Sequence, residues 1–358
     1  MIGRSFPTAN HWSAFRISGK STRIHRKNTT ILVLFHLLAV AAIVYLATTP
    51  FSPWTVGLAV LWFVLSGLSI TGGYHRLFSH RSYQAHPLVR GFYLLFGTAA
   101  VQNSALKWSA DHRRHHAQTD RDPDPYSVKV GFLWSHIGWI MFQPTHFTDP
   151  DQVRDLHADR LVMIQHRYYL PIALMMGAVV PGLLGLIWGD PIGALLVAGF
   201  LRLVVQWHAT FSVNSLAHTI GSQPFTTANS ARDSFWTAIV TLGEGYHNFH
   251  HAFQHDYRNG IRWYHLDPTK WTLWSFEKVG LANNLRRVAP ATIEARREKI
   301  SQEQRAGSSD VKAALVPPAP ESTTTTVGDS STTRLIERDH DGAGASGNDP
   351  EVELAQLP

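Results

Sequence analysis

Leu170-Pro-Ile-Ala-Leu-Met-Met-Gly-Ala-Val-Val-Pro-Gly-Leu-Leu-Gly-Leu-Ile-Trp-Gly189-Asp190-Pro191-Ile-Gly-Ala-Leu-Leu-Val-Ala-Gly-Phe-Leu-Arg-Leu-Val-Val-Gln-Trp-His-Ala-Thr-Phe211 is the stretch that decides the fold. It contains two apolar runs, 170–188 and 191–211, each long enough to cross a bilayer that needs about 20 helical residues. Gly189-Asp190-Pro191 between them reads as a tight turn, so the runs form a helical hairpin. The pattern also occurs upstream, where runs at 29–48 and 54–73 are joined by Pro50-Phe51-Ser52-Pro53. The fold class expected is an all-α integral membrane protein with four transmembrane helices in two hairpins. The alternative, buried helices of a soluble protein, does not explain two hairpins with one-sided charge.

Neither short connection holds Lys or Arg, whereas the N-terminal stretch, the segment 74–169 and everything after about 214 are rich in them. The positive-inside rule places these three on the cytoplasmic side, termini and His-dense segments included. Shorter apolar stretches at 91–101 and 131–142 read as interfacial or partly buried helices. Arg202, His36 and His208 lie within spans and read as structural, hydrogen-bonding groups.

Charge divides the chain. Residues 301–358 hold 10 acidic and 4 basic residues, leaving 28 basic and 16 acidic in residues 1–300. The basic body suits an anionic membrane surface or anionic substrate head, and nothing else in the chain supports a nucleic-acid partner. Residues 1–28 form a basic cytoplasmic segment containing Arg4, Arg16, Lys20, Arg23, Arg26 and Lys27 and no acid. No small-residue cleavage site follows the first apolar run, so this N-terminus is expected to be retained. Residues 29–300 are the membrane domain. Residues 301–358, rich in Ser, Thr, Pro, Gly and acids, are expected to form a disordered acidic tail.

Cysteine is absent and histidine numbers 21. Disulfides, thiolate zinc, iron–sulfur clusters and a Cys nucleophile are therefore excluded, and any metal must be held by nitrogen and oxygen. Three clusters stand out: His75-Arg-Leu-Phe-Ser-His80, His112-Arg-Arg-His115-His116 and His247-Asn-Phe-His250-His251. In the second and third, spacings of i, i+3 and i+4 put three imidazoles on one helix face, able to converge on a common site. His75 and His80 are i, i+5, about 140° apart on an ideal helix, so this pair reads as serving two different metals unless the helix unwinds. Asn214 and His218 share a face at the end of the fourth span. The inventory fits two metals with nitrogen-rich surroundings. Asp111, before His112, and Glu244, one turn before His247, are placed to accept the far ring N–H of a ligand. Asp120, Asp122 and Asp124 either do the same or shape the turn at Asp122-Pro-Asp-Pro125.

At these motifs the chain resembles the acyl-CoA (stearoyl-CoA) delta-9 desaturase family. The residues that carry the resemblance are Thr71-Gly-Gly-Tyr-His-Arg-Leu-Phe-Ser-His-Arg-Ser-Tyr83, Trp108-Ser-Ala-Asp-His-Arg-Arg-His-His116, Asn214-Ser-Leu-Ala-His218 and Gly243-Glu-Gly-Tyr-His-Asn-Phe-His-His251, within about 30–280. The resemblance implies a cytoplasmic helical cap holding a di-iron centre. Its ligands would be His75, His80, His112, His115, His116, His218, His247, His250 and His251, with Asn214 acting through a water. It also implies O2 as co-substrate and removal of two hydrogens from adjacent methylenes of a saturated acyl chain, giving a cis double bond. Electrons would come from a separate donor, cytochrome b5 or ferredoxin with a reductase. Substrate contacts implied are Asn103, Trp108 and Asp111, with Ala59 and Phe63 capping an acyl tunnel. Ala110 and Gln143-Pro144 stand where relatives carry basic contacts to CoA, Phe211 where a Trp is usual and Gln254 where a Pro is usual. The acyl carrier is thus left open among CoA, acyl carrier protein and a glycerolipid. Two rival readings are a membrane fatty acid or alkane hydroxylase, which shares His boxes, and a metal transporter with His-rich loops. The transporter would need polar ligands near the bilayer midplane, where this chain has few.

Overall fold

Each hairpin closes where the sequence caps a helix. Ser52 Oγ accepts from Trp54 N with Pro53 in the first turn, a position where a missing N–H removes no helical bond. Gly189 ends the third span in a left-handed conformation, φ 74°, which glycine adopts without a Cβ clash. Asp190 then caps the fourth span through Gly193 N and accepts hydrogen bonds from Tyr45 Oη at 2.6 Å and Thr55 Oγ1 at 2.5 Å. One carboxylate thereby ties both hairpins at the end remote from the histidines.

A computed structural model describes residues 14–17, 20–122, 124–143 and 153–314, most of them helical. Among the described residues four helices are long and apolar enough to cross a membrane: Arg26–Thr48, Pro53–Ser79, Tyr169–Trp188 and Pro191–His218. Large apolar side chains such as Leu37, Ile43, Val60, Leu170, Leu183 and Ile187 are exposed on them, the arrangement of a protein whose solvent is lipid. The chain is a multi-pass membrane protein. The first and third spans end near their expected limits, whereas the second and fourth run past 73 and 211 into the histidine-bearing region. Inside the spans Arg202 donates to Ala198 O, Ala99 O and Gln206 Oε1. His36 and His208 meet Nε2 to Nε2 at 3.1 Å, and His208 Nδ1 lies 3.0 Å from His136 Nε2. All three spanning residues act structurally, as their positions suggest.

Between the hairpins, Pro87–Thr98 and Ala105–Gln118 pack against the end of the second span, and Trp134–Gly138 runs into Trp139–Met141. Two small sheets, which the helical reading did not contain, pin segments distant in sequence. Lys20–Ile24 pairs antiparallel with Ala14–Ile17 and with Phe142–Gln143, and Gln84–Ala85 pairs with Ala282–Asn283.

The expected disorder from residue 301 is corrected in part. A helix spans Pro290–Ala314, because Ile293 and Ile300, two turns apart on one face, are both buried, Ile293 beside Phe225 and Phe249. Arg296 also donates to Phe225 O at 2.9 Å. Residues 1–13 and 315–358, which carry the rest of the basic and acidic terminal segments, lie outside the described residues, as do Pro123 and Pro144.

Candidate metal centre

The second span changes character before it reaches His75. It is α-helical to Leu68 and π-helical over Ser69–Ser79, and His80 N donates to His75 O at 3.1 Å, an i→i+5 bond. Bonds of that pattern stack residues five apart on one face. His75 and His80 consequently belong to one group, not two, which corrects the reading from ideal helix geometry.

Among the described residues nine histidines gather into two groups. His75, His80, His112, His116 and His250 place one ring nitrogen each within 4.8 Å of one another, and so do His115, His218, His247 and His251. The triplets do not converge on one point as their spacing suggested; each divides between the groups. His115 and His116 are neighbours about 100° apart around their helix, as are His250 and His251, so each pair straddles the line between the two sites.

The ring nitrogens are oriented for metal. Nε2 faces Nε2 at 2.8 Å for His80 and His112, at 3.0 Å for His75 and His250 and for His116 and His250, and at 3.1 Å for His247 and His251. Several of the far nitrogens are held by acceptors. His75 Nδ1 donates to Glu244 Oε2 at 2.9 Å and His115 Nδ1 to Asp124 Oδ1 at 2.9 Å. His218 Nδ1 donates to Ser230 Oγ at 2.8 Å, and Ser230 Oγ in turn donates to Asp120 Oδ1 at 2.7 Å. A neutral imidazole that donates through Nδ1 presents a lone pair at Nε2. Lone pairs turned towards shared points, with His218 Nε2 buried and without a hydrogen-bond partner among the described residues, fit a metal between them, and an all-imidazole donor set suits iron, zinc, copper or nickel. The Glu244 carboxylate thus meets His75, whereas His247, three residues on in sequence, meets the Glu244 backbone carbonyl. Asp124 both orients His115 and shapes its turn, accepting from Asp120 N and Tyr126 N.

Burial, then the neighbouring imidazoles, push the rings of His80, His112, His116, His250 and His251 well below their ordinary value. His247 falls from 6.5 to about 3, burial again leading. They are neutral at physiological pH, as metal ligation requires. A ring that takes up protons more readily unfolded than folded gives stability that is complete above its unfolded value and lost as pH falls towards its folded one. Metal-free protein is expected to melt at progressively lower temperature as pH falls from 6.5 towards 3, the window set by His247; a flat melting temperature across it would contradict this.

Behind the first group lies an ion network that the motifs did not reveal. Arg76, fully buried, donates to Glu244 Oε1 at 3.0 Å, to both Asp267 oxygens at 3.0 and 3.2 Å and to Tyr257 O. Asn259 Nδ2 donates to Glu244 Oε2 at 2.6 Å. Burial alone would raise the Glu244 carboxyl; His75 and Arg76 overcome it and hold the group at about 2. Asp267 also caps the helix Pro268–Lys278, accepting from Lys270 N at 2.9 Å.

The groups open on a cavity of about 1090 Å³ lined by His75, His112, His115 and His247. Asn103, Trp108, Asp111 and Asn214 all line it. Trp108 stacks on His112 with centroids 4.9 Å apart, and Asn103 N donates to Tyr169 Oη at 3.1 Å. Lys27, Lys107 and Arg167 mark its exposed end, with Arg114 also in the wall; Phe63, Gly67, Ile70 and Leu242 line its inner part. Ala59 is not among the lining residues. It sits one turn below Phe63, packed against the cluster of Leu58, Ala99 and Met176.

The fatty acid desaturase family model matches residues 51–282. The chain is 51% identical over 250 residues to a probable acyl-CoA desaturase of Schizosaccharomyces pombe, covering 69% of this chain and 52% of that protein, so it spans about half the length of that relative. It is 36% identical over 276 residues to stearoyl-CoA desaturase of Homo sapiens, covering 75% and 76%. To an sn-1 stearoyl-lipid 9-desaturase of Anabaena variabilis it is 34% identical over 269 residues, covering 74% and 94%. The matched region takes in the second, third and fourth spans and all nine grouped histidines, and on that extent the chain belongs to the fatty acid desaturase family.

Proposed function

We infer that the protein is an O2-dependent fatty acyl desaturase that introduces a cis double bond, at the delta-9 position, into a saturated acyl-CoA. The observation that carries this reading is the opening of two all-histidine groups onto one large, mainly apolar cavity. Two iron ions are the metals proposed. One would be held by His75, His80, His112, His116 and His250, the other by His115, His218, His247 and His251 with Asn214 through a water. When bound, the iron pair supplies the oxidising power, drawn from O2 and two electrons, that removes one hydrogen from each of two adjacent methylenes.

The chain's own residues supply position. A methylene chain offers nothing to hydrogen-bond, so shape and exclusion of water must fix which bond lies beside the histidines. Trp108, stacked on His112, forms part of the wall there, and Asn103 and Asp111 are placed to meet the polar end of the substrate. Lys27, Lys107, Arg114 and Arg167 favour a phosphate-bearing carrier, replacing the basic contacts absent at Ala110 and Gln143. Two of the relatives are named for acyl-CoA substrates and one for a stearoyl lipid at position 9. The metal centre and both termini are proposed to face the cytoplasm, where an acidic electron donor, cytochrome b5 or ferredoxin, would dock on the basic face.

Expression in a desaturase-deficient host with lipid mass spectrometry tests the reading. A mono-unsaturated acid two hydrogens lighter than its precursor is expected, with the bond mapped to carbon 9. A product one oxygen heavier would make the protein a hydroxylase. Chain-length choice is assigned to Phe63. Phe63→Ala should deepen the cavity towards Ala59 by up to one helical turn, about 5.4 Å, and shift products to longer chains; an unchanged product profile would remove Phe63 as the cap.

A further inference from the structure

The short helix Phe235–Val240 is built inside out. Its small residues, Thr237 and Ala238, are buried, while Phe235, Trp236, Ile239 and Val240 are 52%, 76%, 43% and 47% exposed. In water such a contiguous apolar face is unfavourable and marks a contact surface. Its depth identifies the contact. Leu242, in a left-handed conformation at φ 54°, seats its Cδ1 so tightly on Gly67 that a Cβ there would collide with it. From Pro53 to Gly67 the second span climbs about 21 Å at 1.5 Å per residue, still inside a hydrocarbon core of about 30 Å. The neighbouring helix Pro268–Lys278 starts slightly higher, with Thr269 Oγ1 2.5 Å from Thr71 Oγ1. It turns Trp271 and Trp274 outward, with the Lys270 and Lys278 ammonium groups 5.7 and 5.6 Å from their rings, the composition of an interfacial aromatic belt.

We propose that the helix Phe235–Val240 is sunk in the hydrocarbon of the leaflet on the metal-centre side, its outer face a lipid-contact surface and Trp271 and Trp274 marking the headgroup level above it. The surface continues the lipid-facing surface of the spans and rests on their membrane placement, not on the chemistry assigned to the histidines. Because Val240, Thr241 and Leu242 line the cavity, one short helix is then all that separates the cavity from lipid at this point.

The chain contains no cysteine, so a single introduced cysteine carries a nitroxide label without background. The full chain would be labelled at Trp236→Cys, at Ile239→Cys and, for reference, at Lys299→Cys on the exposed side of Pro290–Ala314, each in phosphatidylcholine nanodiscs. The ratio of O2 to nickel-chelate accessibility is expected to be several-fold higher at 236 and 239 than at 299. Equal ratios would put the helix in water and overturn the proposal. Low access to both reagents at 236 and 239 would mean that protein covers the face, and would overturn it as well. Two exposed sites are used so that failure of one variant to fold leaves the other to decide.

Discussion

Replacing His250 by alanine is expected to abolish product formation while leaving about half of the metal bound. His250 Nε2 lies 3.0 Å from the Nε2 atoms of both His75 and His116, so its removal opens the first group on two sides and leaves the second group intact. Loss of a partner behind a ligand already weakens metal binding about 10- to 100-fold; loss of a central ligand is expected to reach at least the upper end of that range. Iron analysis of purified protein should therefore fall from about two equivalents towards about one, with the product peak gone. Glu244→Gln makes a graded comparison. Its amide oxygen can still accept from His75 Nδ1 but carries no charge, so metal affinity should fall by about tenfold with the fold retained. Full activity in His250→Ala, or both metals lost in Glu244→Gln with none lost in His250→Ala, would refute the ligand assignment.

The second large effect is on the fold itself. Arg76→Gln leaves Glu244 and Asp267 buried without their shared guanidinium. Breaking a buried ion pair from one side costs about 3–5 kcal/mol, a large part of the stability of an ordinary domain. Arg76 also joins the π-helical end of the second span to the segment around Tyr257 and Asp267, so the variant should lose both melting temperature and His75 orientation. The double variant Arg76→Gln with Asp267→Asn removes one of the stranded charges and should melt above the single one, a coupling expected between partners in contact. Wild-type melting of Arg76→Gln would show that the network does not hold the centre together.

Much of this was legible in the linear chain because it rests on length and composition. Runs of about 20 apolar residues leave few options in a bilayer, where backbone groups must be satisfied within the segment, so the hairpins and their turns could be read directly. Nine histidines without a single cysteine named the donor chemistry, and their position at span ends named the place. Less accessible were relations that depend on a third dimension. His75 and His80 share a site only because the helix widens to a π pattern, and ideal α geometry points them apart. The Glu244 carboxylate sits near His247 in sequence but accepts from the His75 ring of the second span, which packing brings to 2.9 Å. Ser230, Asp267 and Asn259 carry no local sign of their roles; each meets a partner at least 12 residues away along the chain.

The sequence by itself determined that this protein spans a membrane in two hairpins and gathers histidines able to hold metal at one end of them, because hydropathy and donor type are properties of residues. Only the tertiary structure decided which histidine joins which group, which carboxylate orients it and how deep the cavity reaches. Those depend on the directions of side chains from separate helices, and direction is set by packing and by local helix type, neither of which a spacing along the chain specifies.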